Sequence, residues 1–116
     1  MPPESRTLLE DMRKAADVIA DFVTNKSRDD LVQDKLLRAG IYYEFVIIGE
    51  ALSRLRDSDL PTAQRISEYA RIIAFRNQIT HGYAKIDDEI TWRIIETKLP
   101  VLRGELQALL AEQCGN

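Results

Sequence analysis

Apolar residues recur at spacings of three and four along most of the chain, the period of helices that bury one face. Leu8, Leu9, Met12, Ala16, Ile19, Phe22 and Val23 form the first such stripe and predict a helix from about Arg6 to Thr24. Asn25-Lys26-Ser27 breaks the pattern. Ser27, with Asp29 and Asp30 behind it, has the form of an N-cap followed by an acidic first turn. A second helix is expected from about Asp29 to Arg56. Its first half is amphipathic through Leu31, Val32, Leu36 and Leu37, but the run Ile41-Tyr42-Tyr43-Glu44-Phe45-Val46-Ile47-Ile48 is apolar nearly all round. The β-branched and aromatic content of that run also suits a strand. Helical flanks on both sides favour one long helix, which then needs cover on both faces, from the domain core and from a partner subunit. Gly40 and Gly49 weaken the helix and mark points where another helix can come close.

Asp57-Ser58-Asp59-Leu60-Pro61 reads as a loop. A third helix is expected from about Ala63 to His81, with Gly82 as its stop. A fourth runs from about Asp88 to Glu112, capped by Asp87. Pro100 and Gly104 interrupt it and predict a kink near Leu99. Glycine and proline are few and no hairpin signal appears. The fold class is all-α, an antiparallel bundle of four to five helices in one domain over residues 1–116.

The charge balance narrows the function. A net charge of −3 argues against broad, nonspecific nucleic-acid binding but leaves room for a local basic groove. With one Cys and one His, no zinc-type cluster can be built, and no carboxylate run has Ca²⁺-loop spacing, so no metal and no cofactor is expected. No run of 18 apolar residues spans a membrane, and the start Met1-Pro2-Pro3-Glu4-Ser5-Arg6 lacks the apolar stretch of a signal peptide. A cytoplasmic location is the expectation.

His81 is the lone histidine, and its ordinary pKa suits proton transfer near neutral pH. A lone His at a helix end can also simply cap the last carbonyls. Arg76 stands five residues earlier, about 140° around a helix, among the apolar residues Ile72, Phe75 and Ile79. A guanidinium in such company needs an anionic partner, and phosphate is the natural one. RNA carries its own nucleophile, the 2′-hydroxyl. A His and an Arg can therefore supply proton transfer and charge stabilisation without metal. Asn77 can orient one of these groups, and Tyr83 can stack on a base or donate a hydrogen bond. Residues alone support a helical bundle with a candidate phosphate site.

The string Arg76-Asn77-x-x-x-His81-x-Tyr83 resembles the signature of the HepT-like branch of HEPN-domain ribonucleases. Ile48-Gly49-Glu50-Ala51 resembles that family's segment in helix 2. Asp34 falls where the family often carries an acidic residue, and Pro100 matches a proline inside the last helix. The sequence departs from many relatives at Tyr69-Ala70-Arg71 and at Ala74-Phe75, where they carry Pro-Trp and Gly-Met. The resemblance implies a HEPN-like fold and a metal-independent RNA endonuclease, the toxin of a type VII-like toxin–antitoxin pair. It implies a homodimer in which Arg76 and His81 of both subunits form the catalytic cleft, with Asn77 in support. It implies that a nucleotidyltransferase antitoxin silences the enzyme by adding AMP to Tyr83. Two other readings stay open. In one, the chain is a non-catalytic, nucleotide-binding partner of a nucleotidyltransferase. In the other it is a dimeric scaffold, with Arg76 paired to Asp34 or Glu50 and His81 a cap.

Overall fold

Pro2 and Pro3 open the first helix, where a missing N–H costs nothing. In the computed structural model, which describes residues 1–81 and 86–114, α1 spans Pro3–Phe22. It buries Leu8, Leu9, Met12, Ala16 and Ile19 of the predicted stripe, and Ala15 besides, while Phe22 at its end is exposed and Val23 only partly buried. Asn25, at φ 62°, turns the chain, and a full capping box starts α2 (Arg28–Gln33). There the Asp30 carboxylate accepts from the Ser27 N–H at 2.8 Å, and the Ser27 hydroxyl oxygen accepts from the Asp30 N–H at 3.3 Å.

The single long second helix is not what forms. Asp34 adopts an extended backbone, ends α2 and caps α3 (Lys35–Ser58), its carboxylate accepting from the Leu37 N–H at 3.0 Å. A short carboxylate side chain offers the backbone this alternative to a continued helix. Arg38 completes the joint by donating to the last carbonyls of α2, those of Leu31 and Val32. The break leaves α2 beside α6 with Leu31 fully buried.

The expected loop 57–61 is helical apart from Asp59: Asp57 and Ser58 end α3, and Leu60 and Pro61 begin the next helix. Asp59 caps a short α4 (Leu60–Ala63), and its Oδ2 accepts from the hydroxyls of Thr62 and buried Ser5, each at 2.7 Å. Those bonds hold its carboxyl below the ordinary carboxylate range, the Thr62 hydroxyl contributing most. The third long helix, α5 (Tyr69–Thr80), begins six residues later than the spacing suggests. Glu68 at φ 56° sets its start, with its carboxylate bound to Lys98 at 2.9 Å and Arg71 at 3.1 Å. The last helix divides as Pro100 predicts, into α6 (Asp88–Thr97) and α7 (Leu99–Cys114). Gly104 interrupts nothing: α7 runs straight through it.

Among the described residues there is no strand, and the architecture is all-α and HEPN-like. The central element is α3, flanked by α1 on one side and α5 on another, with α7 against α1. Ile41, Phe45, Ile48, Leu52 and Leu55 supply its core face. No helix among the described residues is long and apolar enough to cross a membrane.

Candidate functional site

The site begins with the way α5 meets α3. A Cβ placed on Gly49 would stand 2.2 Å from the Arg76 Cβ and 2.7 Å from its Cγ. No side chain fits between the two helices at this point, so glycine is required by the close approach. Behind the contact, Phe75 stacks edge-on against Phe45 with ring centroids 5.2 Å apart, and lies 6.4 Å from Tyr42. Tyr42 is tied in turn: its hydroxyl donates to Asp88 at 2.7 Å and bonds Thr91 at 2.8 Å, and desolvation by burial pushes its pKa far up. These contacts fix the rotation of α5 about its axis.

That rotation leaves Arg76 half buried. Its Nε is fully buried with no hydrogen-bond partner, while its terminal nitrogens do not share that isolation. Among the described residues no carboxylate reaches the guanidinium. Asp34 is engaged as a helix cap, and exposed Glu50 makes no ion pair with it, so the pairing required by the scaffold reading is not made. A buried N–H of a cation without an acceptor is costly, and the terminal nitrogens of the same guanidinium are the groups that an anion can reach.

Asn77 follows, half buried. Its carbonyl accepts from the His81 N–H at 3.0 Å and from the Thr80 hydroxyl at 3.4 Å, and the same hydroxyl donates to the Arg76 carbonyl at 3.1 Å. Thr80, which spacing alone does not single out, thus tightens the last turn between Arg76 and His81. His81 is the C-cap of α5 and is exposed. The helix carries Arg76 and His81 to the same end, one on the flank packed against α3 and one at the tip. Tyr83, the expected modification site, lies outside the described residues.

An apolar groove among the described residues lies elsewhere. It holds about 300 Å³ between α5 and the α6–α7 arm, with Phe45 and Ile48 as floor and Ile72, Phe75, Ile94 and Leu99 among its walls. Arg76, Asn77 and His81 do not line it. A second apolar feature is the outer face of α3, where Leu36 is 84% and Tyr43 63% exposed, with Ala39 exposed and Val46 partly so. Val46 and Tyr43 stand about one and two turns before Gly49 on the flank away from the core.

Residues 12–109 match the family described as "Ribonuclease HepT-like". The chain is 23% identical to the "Probable ribonuclease HepT" of Thermococcus cleftensis, over 94% of this chain and 98% of that protein. It is 24% identical to a candidate RNase of Methanocaldococcus jannaschii, over 88% and 93%. A candidate RNase of Caldanaerobacter subterraneus is 23% identical, over 93% and 96%. No solved structure matches the chain.

Proposed function

The chain belongs to the HepT-like ribonuclease family, and on that premise we propose that it is a metal-independent RNA endonuclease, the toxin of a type VII-like toxin–antitoxin pair. The observation that carries this is the buried, acceptor-free Nε of Arg76 on a helix that ends in His81. A phosphodiester is the anion that Arg76 receives. The 2′-hydroxyl loses its proton to His81 and attacks the adjacent phosphorus. The O2′–P bond forms as the P–O5′ bond breaks, and the departing 5′-oxygen takes a proton from the His81 imidazolium, which returns that base to its neutral form. Arg76 stabilises the charge that builds on the phosphoryl oxygens. The products are a 2′,3′-cyclic phosphate and a 5′-hydroxyl end. Asn77 supports the pair.

The active form is a homodimer. The exposed apolar face of α3, next to the Arg76 seat, supports this, since a second copy covers it and brings a second Arg76 and His81 into the cleft. A nucleotidyltransferase antitoxin adds AMP to Tyr83. Two residues from His81, that bulky anion competes with RNA for Arg76. The protein acts in the cytoplasm. A second reading, a non-catalytic nucleotide-binding partner of the same transferase, is favoured only by the acidic pI of about 5.2.

The experiment is incubation with cellular RNA in EDTA, beside Arg76→Ala and His81→Ala. Cleavage by the unmodified protein alone supports the endonuclease. Equal cleavage by all three refutes the assignment of the pair. No cleavage, with nucleotide binding that Arg76→Ala abolishes, replaces it with the second reading.

A further inference from the structure

We propose that Gly49 is a positioning residue for Arg76: its missing side chain sets the direction in which the guanidinium points. This rests on the reading of Arg76 as the group that holds the phosphate. The described glycines do different things. Gly104 faces open space, and at Gly40 an added Cβ would meet the ring edge of Phe22 at 3.0 Å, the far end of a side chain that can turn. At Gly49 the collision is with the Cβ of Arg76, which the α5 backbone fixes, and with its Cγ, which the first torsion places. The Arg76 Cα lies 3.6 Å away, an ordinary contact. The backbones alone would therefore tolerate alanine at position 49; the stem of Arg76 does not.

The stem thus lies flat on α3, and the next nitrogen, Nε, is carried into a buried position without an acceptor. The terminal nitrogens are left as the groups offered outward. An alanine at 49 must push α5 outward, because no rotamer of Arg76 moves its Cβ away from the collision. That shift moves the guanidinium by roughly an ångström or more, a displacement that costs about 10²-fold in rate when the group acts in the transition state.

The test is a double-mutant cycle on RNA cleavage with chemical rescue. Gly49→Ala in the otherwise unmodified chain is expected to lower kcat about 10²-fold with KM changed less than about threefold. The pH–rate profile keeps its shape, because His81 is untouched. In Arg76→Gly, inactive until guanidinium ion is added, Gly49→Ala is expected to leave the rescued rate unchanged, because the stem it would strike is gone. An equal loss in both backgrounds makes Gly49 a packing residue and overturns the proposal, as does unmodified kcat in Gly49→Ala. Full activity of Arg76→Gly without guanidinium refutes the reading of Arg76 instead. If Gly49→Ala alone does not fold, recovery of a cooperative melt on adding Arg76→Gly supports the contact. Failure to fold in both backgrounds overturns it.

Discussion

Replacing Arg76 by methionine should make the protein more stable and inactive at once. Methionine keeps Cβ and Cγ against Gly49 and matches much of the arginine stem, so little cavity is left. What it removes is the buried Nε with no acceptor. An unsatisfied buried donor costs about 1–3 kcal/mol, and for a residue only half buried the lower end, about 1 kcal/mol, applies. For a domain of this size that gain raises Tm by about 4 °C. The assay is thermal denaturation followed by circular dichroism in a phosphate-free buffer, then across a phosphate series. Phosphate at ten times its Kd should stabilise the unmodified protein by about 1.4 kcal/mol and leave Arg76→Met unmoved. A Met variant that melts at or below the unmodified protein without phosphate would show that the guanidinium is already satisfied. A Met variant that responds to phosphate like the parent would place the anion elsewhere.

Two further outcomes are expected. The carboxyls of Asp59 and Asp30 lie below their ordinary value of 3.8, held there chiefly by the Thr62 hydroxyl and by the Ser27 backbone N–H respectively. Their contribution is complete above the unfolded pKa and is lost as pH falls through the depressed folded one. The urea midpoint should therefore stay level from pH 7 to about 5 and fall below about 3.8, less steeply in Asp59→Asn; equal slopes would remove Asp59 from the account. Sedimentation at micromolar concentration should give twice the 13.3 kDa chain mass, and Tyr43→Asp should give the single chain with RNA cleavage lost; a monomeric parent would end the dimer proposal.

Part of the fold is legible in the apolar spacing, because α1 buries most of the residues that its period puts on one side. Val32 and Leu36 of the second expected stripe are exposed, and the all-round apolar run does not tell which residues of α3 face the core. The kink at Lys98–Leu99 is legible because proline cannot donate to the ladder. The break at Asp34 is not, since the apolar register is helical on both sides and an aspartate in mid-helix is only mildly unfavourable. Its capping role exists only once the backbone has already turned. The start of α5 is hidden for a related reason. Glu68 occupies a left-handed conformation where glycine or asparagine would announce a turn, and its charge partner Lys98 is thirty residues away. At the site, the apolar neighbours of Arg76 signal its burial, and Gly49 stands out as a close-approach position. That the two belong to one contact is tertiary information, carried by no local pattern.

The helix bearing Arg76 and His81 is fastened chiefly along one flank, to α3, with the groove beside that contact separating it from the α6–α7 arm. Such an element can part from the rest as its own cooperative unit while α1 and the core of α3 stay closed. Its amide protons should then trade with solvent deuterium sooner than those of the central helices. On the proposed reading of the site, local opening would let a bound polyanion be admitted or released without unfolding the whole domain.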